Sequence, residues 1–301
     1  GAAELGLAHY EQPAAAHLAA EIERLLEAAA VALDTMDPSD LGAVLGEADA
    51  LRLREPPIEK VRETLGLPAE RFLSEQLKAA KRHGDIPRED ALNTAIKDLI
   101  FERSGDAFDL AKLPRLRTAD EFANAKMGGK KERREGFLRH QAKPIPTSLT
   151  QLDSKEKREE AVSTFKSILG YMGDAPYQFP IMLAVELVTK ALSGGGELQT
   201  EVYVQLMKQL SSNPSEASKR LGWQLLALVL QCFPPDAMVE NYIEAFLREN
   251  ATPDPRAYTS LMYAAVRRGP LSAAPTEEEI LSMLTKDLGS SQRVSRASRA
   301  Q

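Results

Sequence analysis

The sequence predicts an all-α fold, a compact helical bundle preceded by a helical extension. Three observations carry that prediction. Apolar residues recur at spacings of three and four along most of the chain. Alanine and leucine are abundant while aromatics make up only 6%, a balance that favours helices over sheets. The breaks between apolar stripes carry proline, glycine and helix-capping residues, and no alternating strand pattern competes anywhere.

Leu18, Ile22, Leu25, Leu26, Ala29 and Leu33 mark the apolar face of a first helix. Asp37-Pro38-Ser39-Asp40 is a stop followed by an N-cap signal. Leu41, Val44, Leu45, Ala48 and Leu51 form the second stripe, interrupted by Pro56-Pro57. Ile58, Val61 and Leu65 form the third, ending at Gly66 with Pro68 just beyond. Phe72, Leu73, Leu77 and Ala80 make a fourth, ended by Gly84, and Ala91, Leu92, Ala95, Ile96, Leu99 and Ile100 a fifth. Leu41, Leu45 and Ala48 align with Leu73, Leu77 and Ala80 at an offset of 32, a period that suits helix-hairpin repeats. Three matching positions are few, and an irregular bundle accounts for them better.

Residues 104–118 read as a connector containing Pro114. Asp120 is placed to cap a short helix through Phe122, and Gly128-Gly129 breaks the chain again. Lys143-Pro144-Ile145-Pro146 must be extended, because each proline drives its predecessor out of the helical region. Helices follow at about 155–170, 177–193, 198–211, 216–232, 236–249 and 254–267. Their separators are plain: 170–176, Ser193-Gly194-Gly195-Gly196, Asn213-Pro214, Pro234-Pro235 and Thr252-Pro253. Trp223, Leu225, Leu226, Leu228, Val229 and Leu230 make one helix apolar nearly all round, expected at the centre of the core. Thr276 with Glu279 is a capping-box signature for a last helix. From Gly289 the tail is rich in Ser and Arg and expected to be disordered. The expected organisation is a helical extension over 1–112, a bundle over 113–285 and a disordered tail over 286–301.

Composition narrows the function classes. The net charge of −6 disfavours a general nucleic-acid binder. One cysteine, Cys232, allows no internal disulfide and fits a reducing, cytoplasmic setting. No stretch approaches the roughly 20 apolar residues needed to span a bilayer, and the start shows no secretory signal. The absence of an initiator methionine reads as an excised fragment. The four histidines, His9, His17, His83 and His140, share no metal-ligand spacing, and Cys232 has no adjacent base. The glycine run at 194–196 lacks the preceding strand and the Lys-Ser/Thr of a phosphate loop, so it reads as a helix-to-helix turn. No catalytic residue, cofactor or metal is expected, and the chain reads as a non-enzyme. One segment stands out electrostatically: 126–143 holds seven Lys or Arg against Glu132 and Glu135, a local balance of +5.

Several segments, in order, resemble the myosin tail homology 4 family found in unconventional myosin and plant-type kinesin tails. Lys143-Pro144-Ile145-Pro146-Thr147-Ser148-Leu149-Thr150-Gln151-Leu152 is similar to its opening motif. Phe165, Lys166, Ile168, Leu169, Tyr171, Met172, Gly173 and Asp174 follow its F-K-x-I-L-x-Y-M-G-D stretch. Glu201, Tyr203, Gln205, Leu206, Lys208 and Gln209 match its L-x-x-E-x-Y-x-Q-L-x-K-Q pattern, with Asn213-Pro214 after it. Gly222-Trp223-Gln224-Leu225-Leu226-Ala227-Leu228, then Phe233-Pro234-Pro235, completes the set, and Leu113-Pro114-Arg115-Leu116-Arg117 resembles the lead-in. The resemblance covers about 113–285 and leaves 1–112 unassigned.

Read from the residues, these motifs are mostly structural. Tyr203 with Leu206, and Phe165 with Ile168 and Leu169, are packing pairs, while charges such as Glu201 and Lys208 inside a helical core are expected to bond loop backbone. The resemblance implies a non-catalytic cytoskeletal adaptor. In that reading Lys126, Lys130, Lys131, Arg133, Arg134 and Arg139 present positive charge to microtubules, whose outer surface is acidic. The alternative it implies is recognition of cargo or partner proteins together with a downstream FERM or Rho GTPase-activating domain. Against the filament reading stands the plain one of 126–143 as a solvated loop and helix start.

Overall fold

The computed structural model describes residues 4–252 and 254–285, with side chains from Ala15 to Leu284. Pro253 and the expected tail lie outside the described residues. The fold is helical throughout them, with one isolated antiparallel bridge between Leu116 and Thr150. Two compact units divide between Ser104 and Gly105.

The first unit contains α1 (Glu4–Thr35), α2 (Pro38–Ala50), α3 (Pro56–Leu65), α4 (Ala69–His83) and α5 (Ile86–Ser104). Its helices start and stop where the chain chemistry says. Asp37 caps α2, its carboxylate accepting from the Ser39 and Asp40 amides at 2.8 and 3.3 Å. Prolines open α2 and α3, where the missing N–H is no loss. Gly84 closes α4 with φ +65°, the left-handed conformation glycine adopts freely. Ala29, Ala32, Leu41, Val44, Ala48, Ile58 and Val61 form the core, and the three alanines let α1 approach α2 closely. Leu18 departs from expectation: α1 has 32 residues against 13 in α2, outruns it, and leaves Leu18 exposed. The carbonyls that end α1 are satisfied by distant side chains. Arg88 donates to Thr35 and Met36, both at 2.8 Å, and Gln76 donates to Met36 at 3.1 Å.

The second unit opens with 3-10 turns at Gly105–Phe108 and Leu110–Lys112. Sequence reading placed these residues in the extension, yet Phe108 packs edge-on against Tyr242 at 5.4 Å. Helices α6 (Ala119–Asn124), α7 (Lys130–Glu135), α8 (Lys155–Tyr171), α9 (Pro180–Leu210), α10 (Glu216–Cys232), α11 (Glu240–Asn250), α12 (Pro255–Arg268) and α13 (Glu277–Thr285) follow. The cap of α6 is Thr118, in a reciprocal capping box with Glu121, and not Asp120. The two helices expected at 177–193 and 198–211 are one kinked element. Only Gly195 leaves helical geometry, at φ +70°, ψ −170°. Every residue of α9 from Glu201 to Leu210 is buried, and α8 and α10 pack against it. Trp223 lies in the core as expected, between Phe246 and Tyr258 at centroid distances of 5.9 and 5.1 Å. The last capping box forms, Thr276 and Glu279 exchanging hydrogen bonds at 2.8 and 3.3 Å.

Candidate functional site: a basic groove held by a buried helix face

The site is assembled by polar side chains on the buried end of α9. Glu201, with no exposed surface, accepts from the Leu149 amide at 2.8 Å, the Thr150 amide at 2.7 Å, the Thr150 hydroxyl at 2.6 Å and Gln205 at 2.9 Å. Burial raises its carboxyl pKa, and these donors oppose the rise by favouring the ionised form. Tyr203 donates to the Phe233 carbonyl at 2.6 Å. Lys208, also fully buried, donates to the carbonyls of Gly136, at 2.6 Å, and Arg139. Burial pushes its pKa down to about 7. Gln209 holds Gln141 through both amide groups, at 3.1 and 3.0 Å, and Ser211 accepts from the His140 amide at 2.8 Å. These motif charges therefore bond loop backbone, as expected of polar groups inside a core. One helix face thus templates the extended segment from 136 to 150.

The template reaches the end of the basic segment at Gly136 and Arg139, and the six cations differ in their own contacts. Lys126, Lys130, Lys131 and Arg139 have exposed side chains. Arg134 is engaged by Asp120. Arg133 turns inward: its guanidinium donates to the Ala123 carbonyl at 3.1 and 2.9 Å and to the Lys126 carbonyl, closing the end of α6. Arg133 is a clamp, and its charge is largely spent inside the loop. His140 stands 3.1 Å from Asp174, without hydrogen-bond geometry, and Asp174 also accepts from Ser218 at 3.1 Å.

Between the basic segment and α8 runs a groove of about 910 Å³, lined by Pro144, Ile145 and Val162 and by Lys126, Lys143 and Lys166. It continues past Lys155 and Arg158. Lys143 and Lys166 were absent from the sequence-derived site. Lys166 sits inside an apolar motif whose neighbour Phe165 is fully buried, and the only available signal was its position on the opposite helical face. Glu132 and Glu159 are the carboxylates lining the two pockets.

Cys232 is buried, and its thiol is pushed up to about 12. Among the described residues no cluster of three or more His, Cys, Asp or Glu side chains is placed to hold a metal ion. No helix among them is long and apolar enough to cross a membrane.

Comparison with known proteins follows the same outline. The MyTH4 domain family matches residues 185–282. The high molecular weight form of myosin-1 from Acanthamoeba castellanii is 35% identical over 280 residues, 93% of this chain and 18% of that protein. The kinesin-like protein KIN-14I of Oryza sativa subsp. japonica is 29% identical over 164 residues, 50% of this chain and 13% of its own. The chain thus spans less than a fifth of either relative. Among solved structures, the human myosin 7b C-terminal MyTH4-FERM domain, in complex with the harmonin-a PDZ3 domain, aligns with TM-score 0.44 at 29% identity, over 48% of this chain and 31% of that one. The ordered motifs from Lys143 to Pro235, the α9 template they build and the family match together identify the chain as carrying a myosin tail homology 4 domain.

Proposed function

We propose that this chain is a non-catalytic, cytoskeleton-associated adaptor module from the tail of a motor or scaffold protein, binding microtubules through its basic groove. The observation that supports this most is the convergence of Lys126, Lys143 and Lys166 on one groove beside the exposed Lys130, Lys131 and Arg139. An acidic filament surface is the complementary partner, and similarity to a kinesin-like protein agrees with that choice. Long-range attraction of this kind decays over about 10 Å at 0.1 M salt, so binding is expected to weaken as salt rises. Co-sedimentation with taxol-stabilised microtubules tests it. Pelleting at low salt that is lost at moderate salt supports the reading, and no pelleting at low salt refutes it.

A second reading, cargo or partner-protein binding together with a downstream FERM or Rho GTPase-activating domain, draws on a different surface. Tyr177, Phe179 and Met182 are all exposed at the start of α9, and aromatic and methionine side chains are enriched at protein interfaces. Charge reversal in the groove would leave such a partner bound, whereas Phe179→Ser would release it.

A further inference from the structure

We propose that the loop over 125–131 is a docking tip for an anionic lipid surface, with Met127 entering the headgroup layer and the surrounding lysines meeting lipid phosphates. This goes beyond filament binding and names a different class of partner. Met127 is 94% exposed, the most exposed of the large apolar side chains among the described residues. Isolated apolar residues are ordinary on protein surfaces, but this one differs in two respects. It stands among Lys126, Lys130 and Lys131, all exposed and without a side-chain partner among the described residues. It also sits on a held loop: Gly128 and Gly129 turn the chain at φ +71° and +57°, and Arg133 binds the Ala123 and Lys126 carbonyls from behind.

The neighbouring carboxylates leave the positive charge at the tip. Asp120 is paired with Arg134, which leaves Glu121, held in the Thr118 capping box, and Glu132 and Glu135 on α7 against Lys126, Lys130 and Lys131. Lys143 and Lys166, across the groove from Lys126, extend the cationic surface. Charge complementarity to an acidic filament accounts for the lysines and leaves the exposed Met127 unused. A bilayer presents both in one plane, phosphates above and hydrocarbon beneath, which is the arrangement that apolar anchors ringed by Lys and Arg exploit.

The test is flotation of the 301-residue chain with phosphatidylcholine vesicles, with and without phosphatidylserine. Binding is expected only when phosphatidylserine is present. Met127→Ser should lower the partition coefficient about tenfold, and Met127→Trp should raise it. Lys130→Glu with Lys131→Glu should lower it at least about 25-fold, since each lysine near an anionic leaflet is worth about fivefold. These positions are exposed, and unchanged circular dichroism confirms that the fold survives. Absence of vesicle binding at low salt overturns the proposal, as does binding that ignores Met127. Loss of microtubule pelleting on Met127→Ser, without vesicle binding, would assign the tip to a protein partner and overturn it too.

Discussion

Replacing Glu201 is the most direct probe of how the domain is held together. The Glu201 carboxylate takes four hydrogen bonds while having no exposed surface. In Glu201→Ala, two of the donors keep an alternative: Gln205 also reaches the Ala161 carbonyl at 2.8 Å, and the Thr150 hydroxyl can rotate. The amides of Leu149 and Thr150 cannot move, and each orphaned buried donor costs about 1–3 kcal/mol. Adding the lost methylene contacts, about 1 kcal/mol, the change should cost roughly 5 kcal/mol, a large share of a typical domain's 5–15 kcal/mol. Glu201→Gln keeps the volume and one acceptor oxygen but turns an NH₂ toward an amide, so about half that loss is expected. The assay is urea denaturation followed by Trp223 fluorescence. Trp223 is the sole tryptophan and lies in the second unit, so unfolding of the first does not mask the signal. A loss below about 1 kcal/mol for Glu201→Ala, or equal losses for both variants, would refute the template argument.

Other outcomes follow from single positions. Gly195 sits at φ +70°, ψ −170°, a region essentially reserved for glycine, so Gly195→Ala should cost about 1–3 kcal/mol by the same denaturation assay. Gly196→Ala, whose added methyl meets nothing within 4 Å, should be neutral or slightly stabilising. Lys208 gives a pH signature. Its folded pKa is lowered to about 7, so from there up to the ordinary lysine value the unfolded chain holds a proton that the fold does not. Its destabilising effect is therefore fully present below pH 7 and relieved as pH rises, by at most about 1.4 kcal/mol per unit. Above pH 10 the trend reverses, because burial pushes the Tyr171 and Tyr258 hydroxyls up to about 12 and the fold keeps protons the unfolded chain loses. Stability that is flat from pH 7 to 9, or that still rises in Lys208→Met, would contradict this.

Much of the fold was legible because the chain marks its own breaks. Asp37, Pro56, Gly84 and Thr276 each act locally, through a cap or a fixed dihedral, and each does so in the structure. The cap of α6 was misplaced by two residues because Thr118 and Asp120 are both capping types, and only the reciprocal bond to Glu121 separates them. The site was less legible for a different reason. Arg133 and Lys131 look alike in a charge run, yet one is spent on carbonyls seven and ten residues back, a tertiary contact that has no period. Lys166 and Lys208 both lie in helical motifs, and the same residue type is exposed in one and fully buried in the other. Packing decides which, and packing is not written in spacing.

Microtubule co-sedimentation of three double variants and one single variant tests the central claim most directly. If the groove binds the filament, Lys143→Glu with Lys166→Glu should abolish low-salt pelleting, as should Lys130→Glu with Lys131→Glu. Reversing Lys60 and Lys78, exposed cations of the first unit, should leave pelleting intact. Arg133→Gln should change the midpoint of Trp223-monitored unfolding more than it changes pelleting of the folded protein. Pelleting that survives both groove reversals, or that falls equally with the Lys60 and Lys78 pair, would contradict the account.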